Sequence, residues 1–252
     1  MRILFALPLA IALAACVPAA DPGASSPPAD YAAALNDPQR PAAERERDAA
    51  RKPAELLAFA QISPGEKVGD YIMGGGYWTR ILSKLVGPAG KVYAFQPAEF
   101  IGFRPAYGTE QDAAVAGRAN VVPLRGPVAA PSFPEPLDTI ITVQNFHDLF
   151  IEQMPPGTGP KAIAALYAAL KPGGILVVVD HSAADGSGTT TTSALHRIDR
   201  QAAIDALKAA GFVLEAQSDL YAATADPRTA NVFDPAIRGK TDQFTLRMRK
   251  PG

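Results

Sequence analysis

The chain has 252 residues, 48% of them hydrophobic, with 24 Lys and Arg against 25 Asp and Glu and a single cysteine. Balanced charge gives no electrostatic footprint for nucleic acid, whose phosphates are held by clustered cations. One cysteine excludes an internal disulfide, a Cys-rich zinc site and an iron–sulfur cluster, so any metal would need His and carboxylate ligands.

At the amino terminus Arg2 precedes an apolar run, Ile3 to Val17, interrupted only by Pro8. It is shorter than the roughly 20 residues of a membrane-spanning helix and reads as a secretory signal. The run ends in Leu13-Ala14-Ala15-Cys16, which resembles a bacterial lipobox. Residues 1–16 are therefore expected to be a lipoprotein signal peptide, with Cys16 as the lipid attachment point; cleavage near Ala19-Ala20 is the alternative. The expected address is the periplasmic face of a bacterial membrane, the outer membrane by preference. Residues 17–41 are Ala/Pro/Ser/Asp-rich without apolar periodicity and read as a disordered tether, leaving residues 42–252 as one domain. From Glu44 to Lys52 charges alternate in sign before Leu56, Leu57 and Phe59. This predicts an amphipathic helix with a solvated charged face, re-aimed at Pro53.

Beyond residue 62, short β-rich runs alternate with helical stretches, the pattern of a parallel sheet with crossover helices. Expected strands are Lys67–Ile72, Lys91–Phe95, Val121–Leu124, Thr139–Val143 and Ile175–Val179, with helices at Tyr77–Val86, Glu110–Ala116 and Lys161–Leu170. Gly87-Pro88-Ala89-Gly90 and Lys171-Pro172-Gly173-Gly174 each end a helix and precede a strand. A helix over Arg200–Ala210 closes at Gly211, followed by strands at Phe212–Leu220 and Phe244–Arg249. No helix of useful length fits between those two, so they are expected to pair antiparallel. The expected fold class is α/β: a doubly wound, mostly parallel seven-stranded sheet with an antiparallel C-terminal strand.

After the first strand come Asp70-Tyr71-Ile72-Met73-Gly74-Gly75-Gly76-Tyr77-Trp78, an acidic residue, a glycine turn and a helix start. Such a loop lets backbone approach a ligand closely, and the helix offers free N–H groups. With Asn145-Phe146-His147-Asp148, Lys171-Pro172-Gly173-Gly174, Val179-Asp180-His181, Leu195-His196-Arg197-Ile198-Asp199 and Arg238–Phe244, the chain resembles the class I S-adenosylmethionine-dependent methyltransferases. The narrower likeness, from about Arg47 to Pro251, is to a group of exported bacterial predicted methyltransferases. The resemblance implies S-adenosylmethionine as cofactor, with Asp70, Gly74, Gly75 and Gly76 at its amino-acid end and Asn145 beside them. It also implies that Gln96, standing where the superfamily usually has an Asp or Glu, bonds the ribose. Ile72 replaces the first glycine of the usual spacing.

The chain's three histidines, His147, His181 and His196, all follow the fourth or fifth strand, with Asp148 and Asp180 beside two of them. In open α/β sheets ligands bind beyond the carboxyl ends of the strands. Three roles are open: a general base led by His147 or His181 with an Asp orienting it, a His/Asp metal site, or hydrogen bonding of loops around a cleft. No HxH or HExxH spacing supports a metal, and none is assigned. The polar stretch Asp185–Thr192 suits a lid or a surface loop. The leading expectation is a monomeric methyltransferase acting on a small-molecule nucleophile. The alternatives are an exported binding or scaffold protein without methyl transfer, and a metal-dependent enzyme on the same fold.

Overall fold

The computed structural model describes residues 30–252; the signal, Cys16 and residues 17–29 of the tether lie outside the described residues. Residues 30–41, expected in the tether, belong to the folded domain. Asp30 caps helix α1 (Tyr31–Leu35), its carboxylate accepting from Ala33 N at 2.9 Å. Arg40 is sealed from solvent and makes paired bonds of 2.9 and 2.6 Å to Asp48. A helix of five residues is too short to display a period, which is why the composition concealed it.

The alternating charge run is likewise not one solvated helix. It forms α2 (Ala42–Arg45), α3 (Asp48–Arg51) and α4 (Pro53–Ala60), broken where Lys52 takes a left-handed conformation (φ 41°) ahead of Pro53. The Glu44–Arg80 ion pair, at 2.5 Å, and the Arg40–Asp48 pair fasten these short helices to the domain.

Seven strands follow: β1 (Lys67–Tyr71), β2 (Lys91–Pro97), β3 (Val121–Gly126), β4 (Leu137–Val143), β5 (Leu170–His181), β6 (Val213–Ser218) and β7 (Gln243–Arg249). Their order across the sheet is β3-β2-β1-β4-β5-β7-β6, with β7 antiparallel to both neighbours and the other pairings parallel. Helices α5 (Tyr77–Val86), α6 (Ala98–Phe103), α7 (Ala106–Val115), α8 (Thr158–Ala169), α9 (Thr192–Leu195) and α10 (Arg200–Ala209) complete the chain. The central strands are apolar on both faces because helices cover both. On β5, Ile175, Val177 and Val179 join the core under α4 and α5, while Leu176 and Val178 join the core under α8 and α10.

Two loops are pinned where the sequence suggested freedom. Within Asp185–Thr192, the N–H groups of Gly186 and Gly188 donate to Asp199 Oδ2 at 2.9 and 3.4 Å. The long β6–β7 connection is clamped by buried Arg197, which holds Asp226 at 2.8 and 3.2 Å. That clamp brings residues 232–241 to the carboxyl ends of β4 and β5, where Val232, Phe233 and Arg238 border the main cleft.

Candidate active site at the carboxyl ends of the strands

A cleft of about 1170 Å³ opens at the carboxyl ends of β1, β4 and β5. This exceeds the roughly 300–1,000 Å³ of an ordinary small-ligand pocket, leaving room for two reactants.

One end is built by β1, the glycine turn and α5. Asp70 is enclosed, and its Oδ2 accepts a 2.6 Å bond from Thr79 Oγ1 in the first turn of α5. Burial outweighs that bond and pushes the carboxyl up to about 6. The chain then turns through Ile72 (φ 60°), Gly74 (φ 56°) and Gly76 (φ 86°). Ile72 adopts the left-handed conformation despite its branched side chain, at a cost of about 1–2 kcal/mol. Asn145 holds it there, its Nδ2 donating to Ile72 O at 2.8 Å while its Oδ1 accepts from Thr142 Oγ1. Asn145 borders the cleft, but its amide is engaged in fixing the loop. Gly76 is required sterically as well: a Cβ there would lie 2.4 Å from the Ala114 Cβ of α7.

Gln96 does not meet its expected role. It ends β2 fully enclosed, is absent from the cleft wall, and neither atom of its amide has a partner. The carboxylate facing the glycine loop comes instead from α7, where Glu110 lies 3.4 Å from the point a Gly75 Cβ would occupy. Arg104 forks onto Glu110 and packs over the Tyr107 ring at 4.5 Å. Helix α7 begins four residues earlier than its expected start, and this brings Tyr107 to the wall.

The charge run at residues 44–52 supplies the roof. Tyr77 Oη donates to Asp48 Oδ1 at 2.6 Å, and the Arg51 guanidinium lies over the Tyr77 ring at 4.6 Å. Burial and the neighbouring Arg47 push Arg51 down to about 10, so it remains a cation at neutral pH. No carboxylate stands within ion-pair distance of Arg51 among the described residues, and its only side-chain bond is a long one of 3.4 Å to Gln144 Oε1. Sequence reasoning assigned this arginine to solvent. A cation beside an apolar segment and a proline was the only signal of another role.

The other end gathers all three histidines. His147 follows β4 in a single 3₁₀ turn (His147–Phe150) and is buried. Its Nδ1 faces Asp180 Oδ1 at 2.8 Å, and Asp180 Oδ2 accepts from the His147 backbone N–H. Burial opposes charge on His147, but Asp180 and Asp148 outweigh it and push the imidazole up to about 10. His181 is driven the opposite way, to about 4, mainly by burial, and its Nδ1 lies 2.9 Å from Thr241 Oγ1. Of the two histidines expected as base, only His181 is uncharged at neutral pH. His196, left-handed at φ 52° after α9, sets its Nδ1 3.2 Å from His147 Nε2. The ring of Phe233 packs edge-on against it at 4.9 Å.

No protein-family model and no curated protein matches this chain. Solved structures do. A SAM-dependent methyltransferase from Aquifex aeolicus superimposes with a TM-score of 0.55 at 21% identity, over 88% of this chain and 98% of that one. The fold is that of the class I methyltransferases. The N-methyltransferase NodS from Bradyrhizobium japonicum gives a TM-score of 0.53 at 15% identity, over 86% of this chain and 99% of its own. The (4+2)-cyclase SpnF gives 0.56 at 17% identity, over 86% and 85%.

Proposed function

We propose that the protein is an S-adenosylmethionine-dependent methyltransferase acting on a small-molecule nucleophile. One observation carries this reading: a single cleft has a buried acid and a glycine turn at one end and a histidine–carboxylate cluster at the other. The residues present fit the cofactor. Asp70 suits its ammonium and the unpaired Arg51 its carboxylate, so the two ends of one zwitterion meet opposite charges. Glu110 offers the two carboxylate oxygens that ribose hydroxyls require, in place of Gln96. When bound, the cofactor supplies an electrophilic methyl group on sulfur.

Transfer of that group is an in-line displacement, so most of the rate comes from holding the reactants aligned in a dry site. His181, uncharged and hydrogen-bonded to Thr241, is the residue placed to accept the acceptor's proton. Calorimetric titration with S-adenosylmethionine and S-adenosylhomocysteine tests the reading: saturable binding is expected, and none at millimolar ligand would overturn it. A second reading, a binding protein or a non-transferring enzyme on this fold, is favoured by the partnerless Gln96 amide; SpnF, a (4+2)-cyclase, has a similar fold. Binding without methyl transfer to any acceptor would select it.

We further propose export and lipid anchoring through Cys16. Metabolic labelling with palmitate should mark the chain, and Cys16→Ser should abolish the label.

A further inference from the structure

We propose that His147 Nε2, His196 Nδ1 and Asp148 Oδ1 form a binding site for one divalent cation of the zinc type, with an open coordination position facing the cleft. The three atoms come from two separate chain segments, the 3₁₀ turn after β4 and the end of α9, yet they converge on one point. His147 Nε2 stands 3.2 Å from His196 Nδ1 and 3.3 Å from Asp148 Oδ1, and the last two are 3.7 Å apart. Ligand atoms bound at about 2.0–2.2 Å around a tetrahedral zinc are separated by roughly 3.3 Å, so these three atoms mark out one face of such a tetrahedron. An octahedral ion of similar size asks for neighbouring ligands roughly 3 Å apart, a poorer match to this triangle.

The arrangement also has a chemical requirement of its own. The fully enclosed Asp180 carboxylate faces His147 Nδ1 and accepts its proton in the neutral ring, which leaves the Nε2 lone pair pointing at a second imidazole nitrogen and a carboxylate oxygen. In the metal-free chain a proton on His147 Nε2 serves these acceptors; a metal ion would displace that proton and bind all three atoms from the same point. Asp180 then acts as the positioning carboxylate that fixes the tautomer and orientation of a ligating histidine. It is itself fixed, accepting backbone N–H bonds from His147 and His181 at 2.5 and 2.7 Å. The two histidine planes stand at 89° to one another, so each ring can direct a nitrogen lone pair to the shared point. His196 retains 28% side-chain exposure and Asp148 16%, and both border the cleft, which gives an entry path and a free position on that side. That position would take an oxygen or nitrogen donor of a ligand in the cleft.

Metal binding is independent of the methyl-transfer reading and is tested separately from it. The purified full-length chain, dialysed against chelator, is titrated with Zn²⁺ by calorimetry and with Co²⁺ by visible absorption. One equivalent is expected, with the intense visible bands of tetrahedral cobalt. His196→Ala should weaken binding at least ~100-fold, and Asp180→Asn ~10–100-fold, as for other carboxylates behind ligating histidines. Partly exposed His196 can be removed with the fold intact, which circular dichroism checks. His196→Cys should restore binding and add a sulfur-to-cobalt charge-transfer band. Absence of stoichiometric binding, or binding unchanged in both His196→Ala and Asp148→Asn, overturns the site. Titration of the metal-free chain with S-adenosylhomocysteine reports on the cofactor end alone.

Discussion

The Arg51 guanidinium lies 4.6 Å from the centre of the Tyr77 ring, bringing a charge from the amino-terminal helices over the first residue of the helix that follows the glycine turn. Tyr77 is fixed in turn by its bond to Asp48, which Arg40 holds in a fork. A cation stacked on an aromatic face and unmatched by a carboxylate is poised for an anionic ligand.

Arg51→Gln should therefore weaken S-adenosylhomocysteine binding by about 1.5–3 kcal/mol, the worth of a hydrogen bond to a charged group, or roughly 10–100-fold. The thermal midpoint should hardly fall, since the substitution also relieves the crowding of Arg51 by Arg47. Equal binding by variant and parent would move the cofactor carboxylate elsewhere.

Asp70 is ionised at neutral pH only against its burial, and the sign of its effect on stability follows. Its folded pKa of about 6 lies above the ordinary aspartate value, so between about pH 4 and 6 the folded chain holds a proton that the unfolded chain has lost. Stability from this group falls as pH rises through that window. Asp70→Asn should stabilise the domain by on the order of 2–3 kcal/mol at pH 7 and by nothing near pH 4, while cofactor binding is lost. Paired denaturation curves at the two pH values measure the difference. In the parent protein, affinity for the cofactor should decline below about pH 6 as Asp70 takes up its proton.

Neighbouring glycines should respond differently to the same added methyl group. Gly76→Ala combines a left-handed backbone with a 2.4 Å clash against Ala114 and should cost about 3 kcal/mol or more. Gly75 is not left-handed and its new Cβ would meet only the Glu110 carboxylate at 3.4 Å. Gly75→Ala should fold normally and lose ligand affinity. Urea denaturation alongside ligand titration separates the two.

The ribose assignment can be tested by exchanging two polar groups. Gln96→Leu removes a buried amide that lacks partners and should be neutral or stabilising by about 1–3 kcal/mol, with cofactor affinity unchanged. Glu110→Gln should lower affinity for S-adenosylhomocysteine about tenfold while leaving analogues without the ribose hydroxyls unaffected. The reverse pattern would return the ribose to Gln96.

Much of this molecule was legible in local pattern. Alternating strand and helix signals place all seven strands, with ends shifted by a few residues, and the missing helix between β6 and β7 correctly forces an antiparallel strand. The histidines of the rim are legible for the same reason: in a parallel sheet, a residue just after a strand is delivered to the carboxyl edge whatever the details. The turn at residues 72–76 is visible because Gly74 and Gly76 stand where the backbone is left-handed; Ile72, left-handed as well, carries no such signal.

What tertiary structure alone decided involves partners far apart in sequence. The charged residues 44–52 have the composition of a solvated face, and only packing on α5 turns them into a roof. Gln96 occupies the expected place in the chain, yet its enclosure depends on how α7 lies against β2. The convergence of His147 and His196 spans 49 residues and is set by the 3₁₀ turn, the left-handed cap of α9 and the Asp180 bonds acting together. Periodicity records which way a side chain faces within its own element; the meeting of two elements to within a few tenths of an ångström is fixed by the packed core between them, and no local pattern contains it.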